Sequence, residues 1–238
     1  MLGPLTHAGG FLWTAVGKHP AAMDYIHLAS GSSLLDAVAD WMTKGYDQLN
    51  RRTPLVQGQH SFRFWLRGAS KGTLLFGLGR DSSDRIGRPY PFFIMGEGAL
   101  KGWEQTWDDM PLRLDQCWQH MEAIAAGRYD DVKALTAALG RLSGPAQAQR
   151  RSPAVARESA PLTAACRDEL ERTGRTLIDL GAVQDDPAAA VRQRLAGVKE
   201  WISEPPLAFF LGGTPQRSCL AVIRTALNAE DFSRLWSI

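Results

Sequence analysis

Cysteine is scarce in this sequence. Cys117, Cys166 and Cys219 are the only three, odd in number and far apart. They form no CxxC pair and suggest no disulfide framework, so a reduced, cytoplasmic setting is the natural reading. An excess of charge of one sign is missing too. The formal net charge is +2 with 22% charged residues, which gives no electrostatic case for nucleic acid or an acidic membrane surface. No apolar run approaches the roughly 18 residues of a membrane helix, so no membrane insertion is expected. The opening "MLGPLTHAGGFLWTAVGKHP" lacks the basic start and apolar run of a signal peptide.

Recognisable catalytic and ligand-binding motifs are also missing. His7, His19, His27, His60 and His120 have no metal-ligand spacing with cysteine or with each other. "GASKGT" places Lys71 before Gly72, the wrong order for a phosphate loop. "GLG" at 77–79 has no third glycine at dinucleotide-fold spacing. Neither Ser82 nor Ser83 sits in a G-x-S-x-G elbow. The expectation is therefore no catalytic residue, no metal and no cofactor.

What is present is a chain of 238 residues, 45% hydrophobic, with eight tryptophans. That suffices for one sizeable core, with most tryptophans as anchors. "GGFLWTAVGK" reads as a strand ending at Gly17. "SGSSLLDAVADWMTKGYDQLNRR" reads as a helix capped by Ser32 or Ser33, with Gly45 weakening its last turns. "HSFRFWLRG", "GTLLFGLGRDS" and "RPYPFFIMGEG" follow as strands with short connections, which favours antiparallel pairing. In the first of these, Phe62, Phe64 and Leu66 alternate with polar residues, interrupted by Trp65, and predict one buried face.

Helices are then expected over "MPLRLDQCWQHMEAIAAG", over "DDVKALTAALGRL" with Asp130 as cap, over "LTAACRDELERTGRTLIDLG", and over "DPAAAVRQRLAGVKEWIS" starting at Asp186 and Pro187. "PPLAFFLGG" and "RSCLAVIRT" read as strands joined by "GGTPQ", and "NAEDFSRLW" as a closing helix capped by Asn228. The order suits an α/β fold, a mixed, largely antiparallel sheet covered by helices on both faces. We expect one domain over 1–238, with a flexible loop at 144–161 rich in Ala, Pro, Ser and Arg.

"GRDSSDRIGRPYPFF" is the stretch with most chemistry in it. It has three readings. In one it is a structural corner: Asp81 or Asp84 makes Asx-type bonds, Gly87 takes a positive backbone angle, an Asp–Arg pair locks the turn, and Pro89 and Pro91 start an edge or bulged strand. In another, Arg85 and Arg88 bind a phosphoryl group. In the last, Ser83 is a nucleophile served by Asp84.

The same stretch resembles the Ser-x-Asp-Arg-x-Gly-Arg-x-(Phe/Tyr)-Pro signature of the TagF family, also called ImpM, through Ser83 (or Ser82), Asp84, Arg85, Gly87, Arg88, Tyr90 and Pro91. "GGFLWTAVGKHPAAMDYI" is similar to the family's opening strand and turn, through Gly17, Lys18, Pro20, Asp24 and Tyr25. "FRFWLRG" and the closing segment "PPLAFFLGGTPQRSCLAVIRTALNAEDFSRLW" resemble family elements as well. Two departures stand out: Met23 replaces a usual glycine, and Phe209 and Phe210 replace a usual Trp-Trp pair.

The resemblance implies a three-layer α-β-α sandwich. It also implies a cytoplasmic, non-enzymatic accessory of bacterial type VI secretion that represses apparatus assembly after translation. The implied partner is the system's forkhead-associated scaffold protein. Ser83, Asp84, Arg85, Gly87, Arg88, Tyr90, Pro91, Gly17, Lys18 and Asp24 are then the motif residues and candidates for partner contact. A small enzyme or phosphoryl-ligand binder using the Asp84–Arg88 turn is the alternative.

Overall fold

The computed structural model describes residues 5–6, 10–28, 31–52, 59–146, 161–181 and 187–238. Two antiparallel blocks of strand meet in one sheet. The first block contains β1 (Leu5–Thr6), β2 (Phe11–Gly17) and β3 (Ile26–His27). It continues, after helix α1 (Ser33–Arg52), with β4 (Ser61–Arg67), β5 (Thr73–Arg80) and β6 (Phe92–Ala99). Next come a 3-10 segment at Trp103–Asp109, α2 (Met110–Ala126), α3 (Val132–Leu139) and α4 (Ala164–Thr173). The second block is β7 (Arg175–Gly181), then β8 (Ala208–Gly213) and β9 (Ser218–Ile223), with α5 (Pro187–Trp201) before β8 and α6 (Ala229–Leu235) last.

The strand order is β1-β2-β6-β5-β4-β8-β9-β7, with β3 paired to β2, and every one of these pairings is antiparallel. The blocks join where β4 pairs with β8, placing Phe64 opposite Phe210 and Trp65 opposite Phe209. Successive strand residues point to opposite faces, so these pairs serve two different cores. Phe64 and Phe210 lie with Phe62, Phe93, Phe232 and Trp236 under α1 and α6. Trp65 and Phe209 lie with Trp13, Phe76, Trp107 and Trp118 under α2 and α5. Helices thus cover both faces, the expected three-layer arrangement. Burying each such aromatic contributes roughly 1.5–3 kcal/mol.

Several sequence expectations need correction. The single buried face predicted for β4 is two buried faces: Trp65 stacks on Phe209 at 4.6 Å on the side opposite Phe62 and Phe64. "RTLIDLG" is not a helix. Gly174, at φ 72, ends α4, and the chain turns into β7, which pairs with β9. The α3 cap is Asp131 rather than Asp130; its side chain accepts from Ala134 N–H at 2.8 Å. β6 is not an edge strand, because β2 and β5 flank it.

Other local expectations hold. Ser32 Oγ accepts from the N–H groups of Leu34 and Leu35 and caps α1. Asn228 and Asp231 form a reciprocal capping box on α6. Residues 147–160 and Asp186 lie outside the described residues, and with them most of the expected loop.

Candidate functional site

Two sequence-distant turns build the site. β2 ends at Gly17, whose φ of 112 disfavours a side chain. A Cβ there would lie 2.0 Å from the Pro91 carbonyl oxygen. This close approach brings Lys18 and the turn after it against the loop between β5 and β6. In that turn, Ala22 N–H donates to His19 O at 2.9 Å and Ala21 N–H to His19 Nδ1 at 3.1 Å.

The loop itself is a hydrogen-bonded corner. Tyr90 N–H donates to Ser82 O at 3.0 Å, Asp84 N–H to Arg88 O at 3.2 Å, and Gly87 N–H to Asp84 O at 3.0 Å. Gly87 has φ 85, the positive angle its position predicted.

Asp84 is the centre of the corner and its side chain is fully buried. Oδ1 accepts from the N–H groups of Ile86 at 3.2 Å and Arg88 at 2.9 Å. Oδ2 accepts from Arg88 Nε at 2.6 Å and lies 3.0 Å from Lys18 Nζ. Burial alone would push the carboxyl up. The Arg88 N–H, the Lys18 ammonium and the Arg88 guanidinium outweigh it and hold Asp84 well below the usual carboxylate range.

The two arginines of the signature are committed as well. Arg88 Nη2 donates to Met23 O at 2.7 Å and lies 3.5 Å from Asp24 Oδ1. Arg85 N–H donates to Ala22 O at 2.8 Å, and its Nη2 donates to Ala21 O at 3.0 Å and to Asp130 O. A guanidinium has donors only, so backbone carbonyls suit it well. The expected Asp–Arg pair is Asp84 with Arg88, joined through one guanidinium nitrogen while another goes to Met23. The free arginine forks needed for the phosphoryl reading are therefore engaged within the corner. Asp84, already accepting from Lys18, Arg88 and two amides, is poorly placed to serve Ser83 as a base.

The structure thus brings Gly17, Lys18, Asp24, Asp84, Arg85, Gly87, Arg88, Tyr90 and Pro91 together. Ser83 joins through its backbone bridge to Pro89. Asp81 does not make the turn's Asx bond; it binds His60 N–H and Nδ1 at 2.9 Å and Trp236 Nε1 at 2.8 Å. Tyr90 packs against Tyr46 at 4.3 Å and edge-on to Tyr25 at 5.3 Å, and burial pushes its phenol up to about 12.

Sequence reasoning missed the outward-facing residues. Met23 is 57%, Ile86 59% and Tyr25 39% exposed, and together they are three of the four exposed large hydrophobics among the described residues. All three sit inside the two matched motifs. Met23 is the departure from the family's glycine, and that was the available signal. The other departure bears on no surface, because Phe209 and Phe210 are buried on opposite faces.

Among the described residues no helix is long and apolar enough to cross a membrane, and no three His, Cys, Asp or Glu side chains group as a metal site would require.

The chain is similar over 94% of its length, and over 93% of the other chain, to the crystal structure of PA0076 from Pseudomonas aeruginosa PAO1. The TM-score is 0.55 and the identity 14%, a likeness of fold. No curated protein matches it by sequence. The model of the type VI secretion system-associated TagF N-terminal domain matches residues 14–143, which carry both motifs and end before the C-terminal strands that complete the sheet. By that match the chain belongs to the TagF family of type VI secretion-associated proteins.

Proposed function

We propose that this protein is a cytoplasmic repressor of type VI secretion that acts after translation, by binding the forkhead-associated scaffold protein of the apparatus. The contact is made by Met23, Tyr25 and Ile86, with Asp24 and Arg88 at the rim. The observation that carries this reading is the corner itself. A buried ion-pair centre at Asp84 fixes two turns against each other, and their outer side holds most of the exposed large apolar side chains described. Apolar anchors ringed by polar groups suit a binding hot spot. A surface held rigid in advance loses less entropy on binding.

Repression needs no chemistry. A protein that binds the unassembled scaffold more tightly than the assembled one shifts the balance toward the unassembled state. The test is size-exclusion chromatography of the full chain mixed with the scaffold. A stable complex, and weaker self-assembly of the scaffold within it, is the expected result. Separate elution at micromolar concentrations of both would contradict the proposal.

A further inference from the structure

Beside the corner lies a cleft of about 600 Å³ that the proposed binding surface does not use. Ser82 and Ser83, Pro89 to Pro91, His19, the end of α2 and Tyr129 line it; Met23, Arg85 and Ile86 do not. Arg80 and Arg128 stand at this cleft, and neither guanidinium makes a hydrogen bond or ion pair with a described residue. That contrasts with Arg85 and Arg88 a few residues away, which are fully engaged. The cleft's acidic residue, Asp81, already receives His60 and Trp236 on its two oxygens.

His19 forms the floor behind the cleft: it is wholly buried, its Nδ1 accepts from Ala21 N–H at 3.1 Å, and the Ala125 carbonyl faces its ring.

We infer that this cleft is a binding site for a phosphomonoester, with Arg80 and Arg128 as cationic forks and Ser82 and Ser83 as neutral donors. Guanidinium groups match phosphate oxygens in geometry as well as charge. The carbonyl end of α2 opposes an anion with about half a unit of charge, less than two whole positive charges supply. The volume falls in the range of pockets for small organic ligands, so the phosphoryl group arrives on a molecular body rather than as a bare ion. This inference is independent of the scaffold-binding surface.

The test is thermal melting and calorimetric titration of the full chain at low chloride, with adenosine monophosphate, inorganic phosphate and adenosine as probes. A ligand of the native state raises Tm as its concentration passes its Kd. The expected result is a rise with the monophosphate, a smaller rise with phosphate, and none with adenosine. In the Arg80→Gln/Arg128→Gln double variant the monophosphate affinity should fall at least about tenfold. Neither guanidinium is bonded within the described structure, and Gln keeps the Arg80 backbone pairing, so this variant should fold. The Met23→Asp/Ile86→Asp variant should keep the wild-type response, which separates this site from the scaffold surface. No response to either phosphate-bearing probe would overturn the inference, as would equal responses in wild type and the arginine variant, or a response to adenosine equal to that of its monophosphate.

Discussion

Lys18 Nζ lies 3.0 Å from Asp84 Oδ2, an ion pair that ties the residue after β2 to the middle of the β5–β6 loop. Two motifs that are separate in sequence meet in this one contact. Its environment decides its weight. A surface pair is worth little, but Asp84 is fully buried and Lys18 nearly so. Removing one partner leaves a buried charge unmatched. Asp84→Ala should lower Tm on the order of 10 °C. Lys18→Met should lower it less, because Arg88 still neutralises Asp84. In a double-mutant cycle, Lys18→Met with Asp84→Asn should cost less than the sum of the single changes. Additive losses would mean that the pair does not couple the two turns.

The two glycines of the corner should fail for different reasons. At Gly87 a Cβ meets open space, so Gly87→Ala bears only the cost of φ 85, about 1–2 kcal/mol. At Gly17 a Cβ would also strike the Pro91 carbonyl oxygen at 2.0 Å. Gly17→Ala should therefore sharply reduce the yield of soluble, folded protein, while Gly87→Ala yields folded protein of lower Tm. Similar modest losses for both would contradict the close packing of β2 on Pro91.

Acid should unfold the protein in two stages. Burial, its largest cause, holds His19 below its ordinary value. A group whose pKa is lowered in the folded state gives stability that is complete above the unfolded pKa and is lost as pH falls. For His19 that loss begins near pH 6.5, and for Asp84 only below about pH 4. Glu169 and Asp179, also held low by their arginine partners and hydrogen bonds, share the second stage. Denaturation midpoints measured against pH should fall from about pH 6.5 downward, then more steeply below pH 4. Asp84→Asn should flatten only the second stage. A flat profile down to pH 4 would mean that His19 is not held neutral by the fold.

Much of this architecture was legible in the sequence. Alternation, short turns and helix caps located β2, β4, β5, β6, β8, β9, α1, α2 and α6. What was lost was lost for physical reasons. "RTLIDLG" follows a helix without proline, and its strand is fixed by pairing with β9, a contact that no local pattern reports. β1 and β3 are two residues long, too short for a period to show. Gly45 looked like a flaw in α1. A Cβ there would fall 2.3 Å from Phe232 Cβ, so the glycine marks where α6 presses on the helix. In the site, the signature named the residues that lock the corner. That Met23, Tyr25 and Ile86 face outward was not legible from their place in the motifs, because exposure is a property of the fold.

The most direct measurement of the central claim is a calorimetric titration of the scaffold protein with wild-type chain and with the Met23→Asp/Ile86→Asp variant, with a thermal melt of each. Both side chains are more than half exposed, so the melts should coincide. Binding should weaken by more than about thirtyfold, the loss of at least one hot-spot anchor. Coincident melts with unchanged affinity would contradict it and place the scaffold contact elsewhere on the protein.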